Sequence, residues 1–500
     1  MAIISDKLRA VMEIDRSASV IEHSGRLFGW GTLADAVDQL DDMLVEMGCP
    51  ENGRVGVFLR NRPGHIAAFL TLLVKDRCLV TLNPLYPDDV MAKDLAELDL
   101  GIVIGESQDL RRQAIAEQLK ESGSGIIEID GYLGPSRKIA GPAPGRTLST
   151  STDVAIEMLT SGTTGKPKRI PLSRRAFDSS FAAFATYEKG RQLKDSVSLK
   201  SSTTMVVNPL THIGGIYGAI GALMSGRRIC LLDRFSVEEW IAAVERNKLK
   251  VAPAVPAALR MIYEANLPRE KFASLSAIIS GTAPLRPELV DDFMKRYGVP
   301  ILSNYGATEF AGAIAGWSLP DFQNYWTTKR GAAGRIHSNV QARVVHPETS
   351  LQLAPGEEGI LELKGEQIAG DEDWLRTTDR AVIDEDGFLF IRGRSDNAIV
   401  RGGFKIHPDD VVQAIESYPS VREAAVVGIA DERLGEVPVA AIILADGVAG
   451  FDERDLDTFL KDRLLPYQRP VRYAIVEDFP RTGSMKPSRP GLLAMFNDDN

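Results

Sequence analysis

The chain has 500 residues, of which 44% are hydrophobic and 25% charged, a composition that argues against intrinsic disorder and predicts at least two domains with a sizeable buried interior. Its formal net charge of -10 argues against a general affinity for nucleic-acid backbones or anionic membranes, although a locally basic pocket is compatible with it. The three cysteines, Cys49, Cys78 and Cys230, show neither metal-ligand nor disulfide spacing, so we expect small buried hydrophobes in a reducing compartment. Residues 1–19 contain no apolar run long enough for a secretory signal or a membrane span, and we expect a cytoplasmic protein.

Short apolar runs alternate with helix-length amphipathic segments along the first part of the chain. Strands are predicted at 54–61, 78–84, 100–106 and 124–130, with a helix over 63–77. A second series of strands is predicted at 203–210, 227–233, 249–256, 275–281 and 300–306. This βαβ alternation predicts two related parallel-sheet α/β subdomains, in which loops at the carboxyl ends of the strands converge on one site.

From about residue 335 the pattern changes to β-rich segments with turn signals, which predicts a small β-barrel or meander that closes the large domain. A compact α+β segment follows, with helices over 408–417 and 452–464 and strands over 424–430, 437–446 and 471–477. The sequence therefore predicts a large α/β domain over 1–395 and a small mobile α+β domain over 396–500, with the hinge near Asp396.

Residues 159–169, LTSGTTGKPKR, lie between a predicted strand and a predicted helix. A Walker A loop is excluded, because Gly162 and Gly165 are only three residues apart and Lys166 is followed by Pro167. The glycines let the backbone approach an anion closely. The segment adds hydroxyl groups and cations that suit a polyphosphate, namely Ser161, Thr163, Thr164, Lys166, Lys168 and Arg169. The alternative is a solvated turn with incidental lysines.

The string TSGTTGKPK resembles the phosphate-binding loop of the adenylate-forming superfamily, which includes acyl-CoA synthetases, firefly luciferase and peptide-synthetase adenylation domains. Further segments resemble the other motifs of this family in the family's order: SGTAP (280–284), NYGATE (304–309), WLRTTDR (374–380), GRSD (393–396) and the closing stretch 464–489. The chain is identified as a member of this superfamily along essentially its whole length, closest to acyl- or aryl-CoA ligases.

The resemblance implies a role for each matching residue. Tyr305 would stack beside adenine, Thr308 would meet the α-phosphate and Glu309 would hold Mg²⁺, with Thr163 as a second candidate ligand. The nucleotide would be held by Thr160, Ser161, Gly162, Thr163, Thr164, Gly165, Lys166, Lys168, Gly281, Thr282, Ala283, Pro284, Asn304, Tyr305 and Gly306. For Glu309 taken alone, a solvated helix surface is the alternative.

The C-terminal motifs supply the remaining implied groups. Asp379 would accept both ribose hydroxyls, since a carboxylate suits a vicinal diol, and Arg394 would be a second ribose or phosphate contact. Asp396 would be the hinge, and Lys486 would reach the acyl-adenylate, where a mobile cation stabilises the in-line transition state. The alternatives are a turn cap for Asp379, a surface ion pair for Arg394 and an ordinary exposed lysine for Lys486.

Two segments discriminate among the branches of the superfamily. NPLTHIGGIYG (208–218) resembles the Pro-Leu-x-His-x-x-Gly of CoA ligases, and it lacks the Asp with which amino-acid-activating domains pair an ammonium. His212 would then border the carboxylate pocket as a gate, the alternative being a histidine satisfied in the core. GGFKIHPDDVVQAIE (402–416) resembles the segment of CoA-forming members in which Gly402 and Gly403 edge the pantetheine tunnel, the alternative being turn glycines.

The implied reaction has two steps. ATP, Mg²⁺ and a carboxylic acid give acyl-AMP and pyrophosphate, and the small domain then swings about Asp396 so that CoA forms the thioester and releases AMP. Candidate lining segments at 212–217, 255–259, 281–284 and 305–313 favour an apolar acid, aromatic or medium-chain. The rival hypotheses are an acyl-AMP ligase that loads a carrier protein and a non-catalytic nucleotide-binding homologue.

Three positions depart from the family's usual glycine. Arg169 ends the phosphate loop, Thr378 stands inside the Thr-Gly-Asp motif and Met485 precedes the catalytic lysine. Each replaces a flexible residue with one that carries a side chain, so slower loop closure or slower approach of Lys486 is expected. The sequence offers no purpose for Arg169.

Overall fold

The structure is a computed structural model, and it describes residues 3–160, 168–185, 196–368, 374–448, 450–483 and 485–497. These residues form two compact units. Unit 1 comprises the described residues of 1–160, 168–341 and 364–368, and unit 2 comprises those of 342–363 and 374–497. The predicted domain boundary at Asp396 stays a prediction. Among the described residues, no helix combines the length and the apolar character that a membrane crossing needs.

The first part of unit 1 alternates strands and helices as predicted. In chain order these are α1 (Ile3–Met12), β1 (Ser19–His23), β2 (Arg26–Gly29), α2 (Trp30–Glu46), β3 (Arg54–Phe58), α3 (Pro63–Val74), β4 (Cys78–Leu82), α4 (Asp88–Leu98), β5 (Ile102–Gly105), α5 (Ser107–Leu110), α6 (Gln113–Glu121), β6 (Gly125–Glu128), β7 (Arg137–Ala140), β8 (Val154–Thr160), β9 (Lys168–Ser173) and α7 (Arg174–Ala185). Seven strands form one sheet in the order β7-β6-β5-β3-β4-β8-β9. Its five central strands are parallel, and the edge strands β7 and β9 are antiparallel to their neighbours.

The second part of unit 1 repeats the alternation. Its elements are β10 (Thr203–Val206), α8 (Ile213–Met224), β11 (Arg228–Leu231), α9 (Val237–Asn247), β12 (Val251–Pro253), α10 (Pro256–Glu264), β13 (Ala277–Ser280), α11 (Pro287–Tyr297), β14 (Ile301–Ala307), β15 (Gly312–Gly316), α12 (Leu319–Tyr325) and β16 (Gly334–Ile336), with 3-10 turns at Arg269–Phe272 and Thr308–Phe310. Strands β10, β11, β1 and β2 form a four-stranded sheet, while β12, β13 and β14 are parallel neighbours that continue into antiparallel β15 and β16. The predicted α/β class is confirmed.

Helix α3 contributes to a large hydrophobic core of unit 1. All of its twelve residues are buried, and it packs against α1 and α2. A helix that is apolar on every side needs partners all round, which explains why its sequence lacks the polar stripe of a surface helix. The three cysteines are free and buried, as expected, and burial raises the pKa of the Cys78 thiol to about 12.

Unit 2 is β-rich before residue 395 and α+β after it. Its elements are β17 (Gln341–Val345), β18 (Gly359–Lys364), β19 (Leu375–Ile383), β20 (Phe388–Arg394), β21 (Ile399–Arg401), β22 (Phe404–Ile406), α13 (Pro408–Glu416), β23 (Val421–Asp431), β24 (Gly435–Leu444), α14 (Glu453–Lys461), β25 (Tyr473–Ile475) and α15 (Arg489–Asn497). Strands β17 to β20 are sequential neighbours, and the C-terminal sheet has the order β22-β21-β24-β23 with β25 beside β24. Alternate residues of β24 face two cores, Ala440 and Ile442 on one side and Val439 and Ala441 on the other.

Candidate active site

Two parallel strands of unit 1 end at the predicted nucleotide motifs. Strands β13 and β14 pair so that Ser280 lies opposite Ser303, and residues 281–284 and 304–309 therefore leave the same sheet edge. The two segments are in close contact, because a Cβ added at Gly281 would lie 2.2 Å from Oδ1 of Asn304. Glycine at 281 thus lets the two motifs approach each other.

The segment after β13 contains a strained residue. Thr282 has φ of +73°, in the left-handed region that a β-branched side chain rarely adopts. Thr282 and Pro284 are exposed, and Ala283 is half-buried. Strain of this kind persists where the surrounding structure fixes the backbone, and it is concentrated at functional sites.

The NYGATE motif forms the end of β14 and the turn that follows it. Gly306 lies against β15, where an added Cβ would be 2.3 Å from the carbonyl oxygen of Gly312. Thr308 and Glu309, both half-buried, belong to a 3-10 turn, and the ring centroid of Tyr305 is 6.1 Å from that of Phe310 in the same turn. The motif therefore presents an aromatic ring, a hydroxyl and a carboxylate from one short stretch of backbone.

His212 begins α8. It is the N-cap residue of this helix, and its carbonyl oxygen accepts hydrogen bonds from the amides of Gly215 and Ile216 at 3.0 and 3.3 Å. The residue is half-buried. Its predicted place beside the carboxylate pocket stays a prediction, and the cap position gives it a structural role in addition.

One turn further along α8, Tyr217 joins an aromatic pair. Its ring stacks on Phe181 at a centroid distance of 4.1 Å and an interplanar angle of 9°. Its hydroxyl donates to the carbonyl oxygen of Ser180 at 3.0 Å, and a Cβ at Gly312 would meet the Tyr217 ring at 3.0 Å. The hydroxyl thus binds the backbone, and the ring lies directly against Gly312; that these residues line an acyl pocket stays a prediction.

Sequence reasoning missed His337. This half-buried residue follows β16, and a Cβ added at Gly316 of β15 would lie 3.7 Å from its Nε2 and 3.4 Å from Cβ of Asn304. Burial lowers the pKa of His337 to about 4, while a hydrogen bond with the backbone of Ala313 acts in the opposite direction. A neutral imidazole therefore lies close to the nucleotide motif. The chain separation from Asn304 hid it, since no spacing in the sequence links the two.

The predicted phosphate loop is described only at its two ends. Ser161, Gly162, Thr163, Thr164, Gly165 and Lys166 lie outside the described residues, so their predicted contacts, including that of Thr163 with Mg²⁺, stay predictions. The backbone of Thr160 at the end of β8 pairs with Lys168 at the start of β9, and Leu159 pairs with Arg169. Strands β8 and β9 are thus antiparallel neighbours, and the predicted phosphate loop is the stretch of sequence between them.

The loop composition predicted that Arg169 helps to bind a polyphosphate, but its guanidinium contacts other parts of the protein. Its Nη2 pairs with Oδ2 of Asp94 at 2.7 Å, and its Nη1 donates to the carbonyl oxygen of Thr81 at 3.0 Å. The guanidinium is therefore engaged by α4 and β4, which corrects the expectation that it adds charge for a polyphosphate.

In unit 2, the predicted ribose and hinge residues lie together. Asp379 of β19 is paired in register with Arg394 of β20. The guanidinium of Arg394 forms two hydrogen bonds to the carboxylate of Asp396, both at 3.0 Å, and it also donates to the hydroxyl of Thr378. The side chain at 378, where the family usually has glycine, therefore helps to hold Arg394 in place.

Lys486 lies within electrostatic reach of the same residues. Desolvation lowers the pKa of its ammonium, the Arg394 guanidinium lowers it further and the Asp379 carboxylate raises it. The preceding residue, Met485, has φ of +63°, and its amide donates to the carbonyl oxygen of Thr482 at 2.8 Å. The turn thus takes the conformation that glycine adopts at least cost, which explains why glycine is usual at this position.

Gly402 and Gly403 form the two-residue turn between β21 and β22. Their φ angles are +58° and +89°, as in a type I′ hairpin turn, and the amide of Gly402 donates to the carbonyl oxygen of Leu434 at 2.7 Å. The turn accounts for both glycines. An added Cβ at Gly403 would meet no atom within 4 Å, and its predicted place beside a thiol arm stays a prediction.

Glu309 is the predicted Mg²⁺ ligand. Among the described residues, no three His, Cys, Asp or Glu side chains are grouped so that they could hold a metal ion. Glu309 is a single half-buried carboxylate on a turn. Mg²⁺ is commonly held by one or two carboxylates together with substrate phosphates, which is compatible with this arrangement.

Comparison with known proteins shows the family of the chain and agrees with its fold. Residues 9–370 match the family model described as AMP-binding enzyme, and residues 411–486 match the model described as AMP-binding enzyme C-terminal domain. The chain therefore belongs to the AMP-binding enzymes, and the resemblance drawn from its motifs is confirmed.

Individual relatives cover nearly the whole chain. The probable CoA ligase CCL5 of Humulus lupulus is 28% identical over 506 residues, which cover 94% of this chain and 89% of that protein. The 4-coumarate--CoA ligase-like 6 of Arabidopsis thaliana is 26% identical, covering 90% of this chain and 83% of that protein. ATP-bound MatB from Rhodopseudomonas palustris has a TM-score of 0.83 at 23% identity, covering 100% of this chain and 99% of that one, and this likeness shows the fold.

Proposed function

We propose that the protein is an ATP-dependent carboxylic acid-CoA ligase that acts through an acyl-adenylate. The observation that carries the proposal is the register pairing of Asp379 with Arg394 in unit 2, beside which Lys486 lies close enough for both charges to act on its pKa. A cation beside a carboxylate that suits a ribose diol is the arrangement needed to bind AMP and to neutralise charge at its phosphate. The names of the relatives given above support the acid-thiol ligase class.

In the first step, an oxygen of the substrate carboxylate attacks the α-phosphorus of ATP. A bond forms between this oxygen and phosphorus, the bond from phosphorus to the oxygen bridging to the β-phosphate breaks, and pyrophosphate leaves. The two anions repel each other, so placement and charge neutralisation lower the barrier. Lys486 neutralises the reacting groups, Thr308 meets the α-phosphate, and Asp379 and Arg394 hold the ribose. Glu309 would hold Mg²⁺, which supplies further neutralisation of the phosphates when bound.

In the second step, the thiol of CoA attacks the acyl carbon of the adenylate. The new bond joins sulfur to carbon, the bond from carbon to the phosphate oxygen of AMP breaks, and the thiol proton is released to solvent. No side chain of the protein serves as a covalent nucleophile. We include in the proposal that the segment after Asp396 changes position between the two steps, so that one cavity serves both. A cytoplasmic location belongs to the same proposal.

The acid is proposed to be apolar, aromatic or medium-chain. Segments 212–217, 255–259, 281–284 and 305–313 contain Glu309 as their one acidic side chain, and that residue is assigned to Mg²⁺. The stack of Tyr217 on Phe181 and its contact with Gly312 support an apolar wall. Such a wall favours a flat or aliphatic acid over an amino acid, whose ammonium would need a carboxylate partner.

The test is pyrophosphate release from ATP with a panel of carboxylic acids, assayed with and without CoA. The panel contains substituted benzoic and cinnamic acids, medium-chain fatty acids, amino acids and dicarboxylic acids. Pyrophosphate release with an apolar acid, accompanied by its CoA thioester, is the expected result. Acyl-AMP that forms but is not consumed by CoA would favour transfer to a carrier protein, and release with none of the acids would favour a non-catalytic nucleotide-binding protein.

A further inference from the structure

We propose that Arg169 is a positioning residue for the phosphate-binding segment, which it serves by tying the start of β9 to Asp94 of α4. The proposal rests on the proposed function, because that function assigns residues 161–167 to the phosphates of ATP. Arg169 stands two residues after this segment, at the position where the family usually has glycine.

The contacts of Arg169 cross from the hairpin to two other elements. Its Nη2 is 2.7 Å from Oδ2 of Asp94, and the two side chains are 15% and 17% exposed. Its Nη1 donates to the carbonyl oxygen of Thr81 in β4 at 3.0 Å. An arginine with two partners on different elements is held in one orientation. Removing one partner of a largely buried ion pair leaves the other charge uncompensated and destabilises the folded protein.

These contacts lie where the hairpin is otherwise least supported. In the described part of the chain, β9 is the edge strand of the seven-stranded sheet, its backbone pairs with β8, and Thr160 with Lys168 is the last described pair of the ladder. Arg169 is the second residue of β9. Its side chain adds a link to β4, which lies on the far side of β8, and thereby holds the end of the edge strand from a second direction.

Asp94 belongs to a helix that is held rigidly against the sheet. It lies on α4, whose residues Met91, Leu95 and Leu98 are buried against the sheet beside Val80 and Leu82 of β4. A helix fixed by three apolar side chains keeps Asp94 at a constant distance from the sheet. Arg169 therefore links the start of β9, which follows the phosphate-binding segment in the sequence, to the rigid core.

The geometry favours positioning over direct phosphate binding. A guanidinium that turned toward a phosphate would leave Asp94, only 17% exposed, without its cation. The same contacts give the side chain at position 169 a use. Where the family usually has a flexible glycine, this chain has an arginine whose partners fix the start of β9.

The test compares ATP binding by the full chain with the two half-reactions measured separately. Arg169→Ala and Asp94→Asn are each expected to weaken ATP binding, measured by calorimetry, and to raise the KM for ATP, both by about tenfold. Thioester formation from supplied acyl-AMP, which uses neither the β- nor the γ-phosphate, is expected to stay within about twofold. Arg169→Lys keeps the charge with a poorer geometry and is expected to lie between wild type and Arg169→Ala. The reversed pair, Arg169→Asp with Asp94→Arg, is expected to recover part of the lost affinity.

A matched control is the ion pair of Arg77 with Asp41. Nη1 of Arg77 is 2.6 Å from Oδ1 of Asp41, the side chains are 6% and 16% exposed, and Arg77 precedes the amino end of β4, the strand whose carboxyl end Arg169 contacts. Arg77→Ala is expected to lower thermal stability and to leave the affinity for ATP unchanged, which separates positioning from general stability.

Three results would overturn the proposal: wild-type affinity for ATP in folded Arg169→Ala, equal loss of both half-reactions, or failure of Arg169→Ala and Asp94→Asn to fold while Arg77→Ala folds. Failure of the proposed function gives a different pattern. A wild-type protein that binds ATP but releases no pyrophosphate with any acid contradicts the ligase, and the ATP affinities of the variants still decide the role of Arg169.

Discussion

Arg394 and Asp396 form a two-bond ion pair across a single intervening residue, with Nε and Nη2 each 3.0 Å from one carboxylate oxygen. Arg394 is the proposed ribose or phosphate contact, and Asp396 is the proposed hinge. The ligand-binding group and the hinge are therefore linked in this structure. Thr378 adds a third point of attachment through its hydroxyl, which accepts from the same guanidinium.

The first prediction concerns this attachment. Thr378→Val removes the hydroxyl and keeps the shape of the side chain, so Arg394 loses a charge-assisted hydrogen bond, and we expect about a fivefold rise in the KM for ATP. Thr378→Ser keeps the hydroxyl and should match wild type within about twofold. Steady-state kinetics of pyrophosphate release measure both. Equal KM values for the valine and serine variants would show that the hydroxyl does not hold Arg394.

Met485 gives a prediction about backbone strain. Its φ of +63° is easy for glycine, tolerable for methionine and costly for a β-branched residue. Met485→Gly and Met485→Val both remove the methionine side chain. The difference between their free energies of unfolding therefore reflects the cost of the positive φ at this position. We expect the glycine variant to be more stable in urea unfolding by roughly 1 to 2 kcal/mol. Unfolding of both variants at one urea concentration would contradict the assigned conformation.

His337 gives a prediction about pH. Burial lowers its pKa from 6.5 to about 4, so between these two values the unfolded chain binds a proton that the folded protein does not. The free energy of unfolding therefore falls as the pH falls from 6.5 towards 4. Wild type should lose roughly 1 to 2 kcal/mol more than His337→Gln between pH 7 and pH 5. An equal loss in both proteins would indicate that His337 titrates normally in the folded state.

Lys486 gives a prediction about the alkaline limb of activity. Desolvation and Arg394 lower the pKa of its ammonium from the ordinary value of 10.5, against the effect of Asp379. As the pH rises, Lys486 therefore loses its proton at a lower pH than an ordinary lysine does. The rate of acyl-AMP formation, which needs the cation, should fall over the same pH range. Lys486→Arg stays charged over this range and should shift the fall to higher pH. If the rate falls at the same pH in wild type and in Lys486→Arg, a group other than Lys486 is titrating.

The sequence predicted the strands and motifs of this fold well, because they depend on local pattern. Apolar runs such as 54–61 became β3, and the NYGATE motif stands at the end of β14, as the rule for parallel sheets requires. The same rule predicts that the loops after parallel strands converge, and Gly281 does lie against Asn304.

The contacts that the sequence could not supply join residues far apart in the chain. Asp94 is 75 positions from Arg169, so no spacing shows that the unusual arginine has an acidic partner. The sequence shows that Thr378 departs from the usual glycine, but the role of its hydroxyl depends on the side-chain direction of Arg394 across the β19–β20 ladder. His337 carried no motif, and only the packing of β15 and β16 brings it near Asn304.

The most direct test of the central claim separates the two half-reactions in Lys486→Ala, with an acid that wild type accepts. We expect the folded variant nearly to lose acyl-AMP formation, measured as pyrophosphate release, because the neutralising cation is gone. We also expect thioester formation from supplied acyl-AMP and CoA to continue near the wild-type rate. Equal loss of both half-reactions in folded protein, or pyrophosphate release at the wild-type rate, would contradict the role of Lys486 on which the proposed function rests.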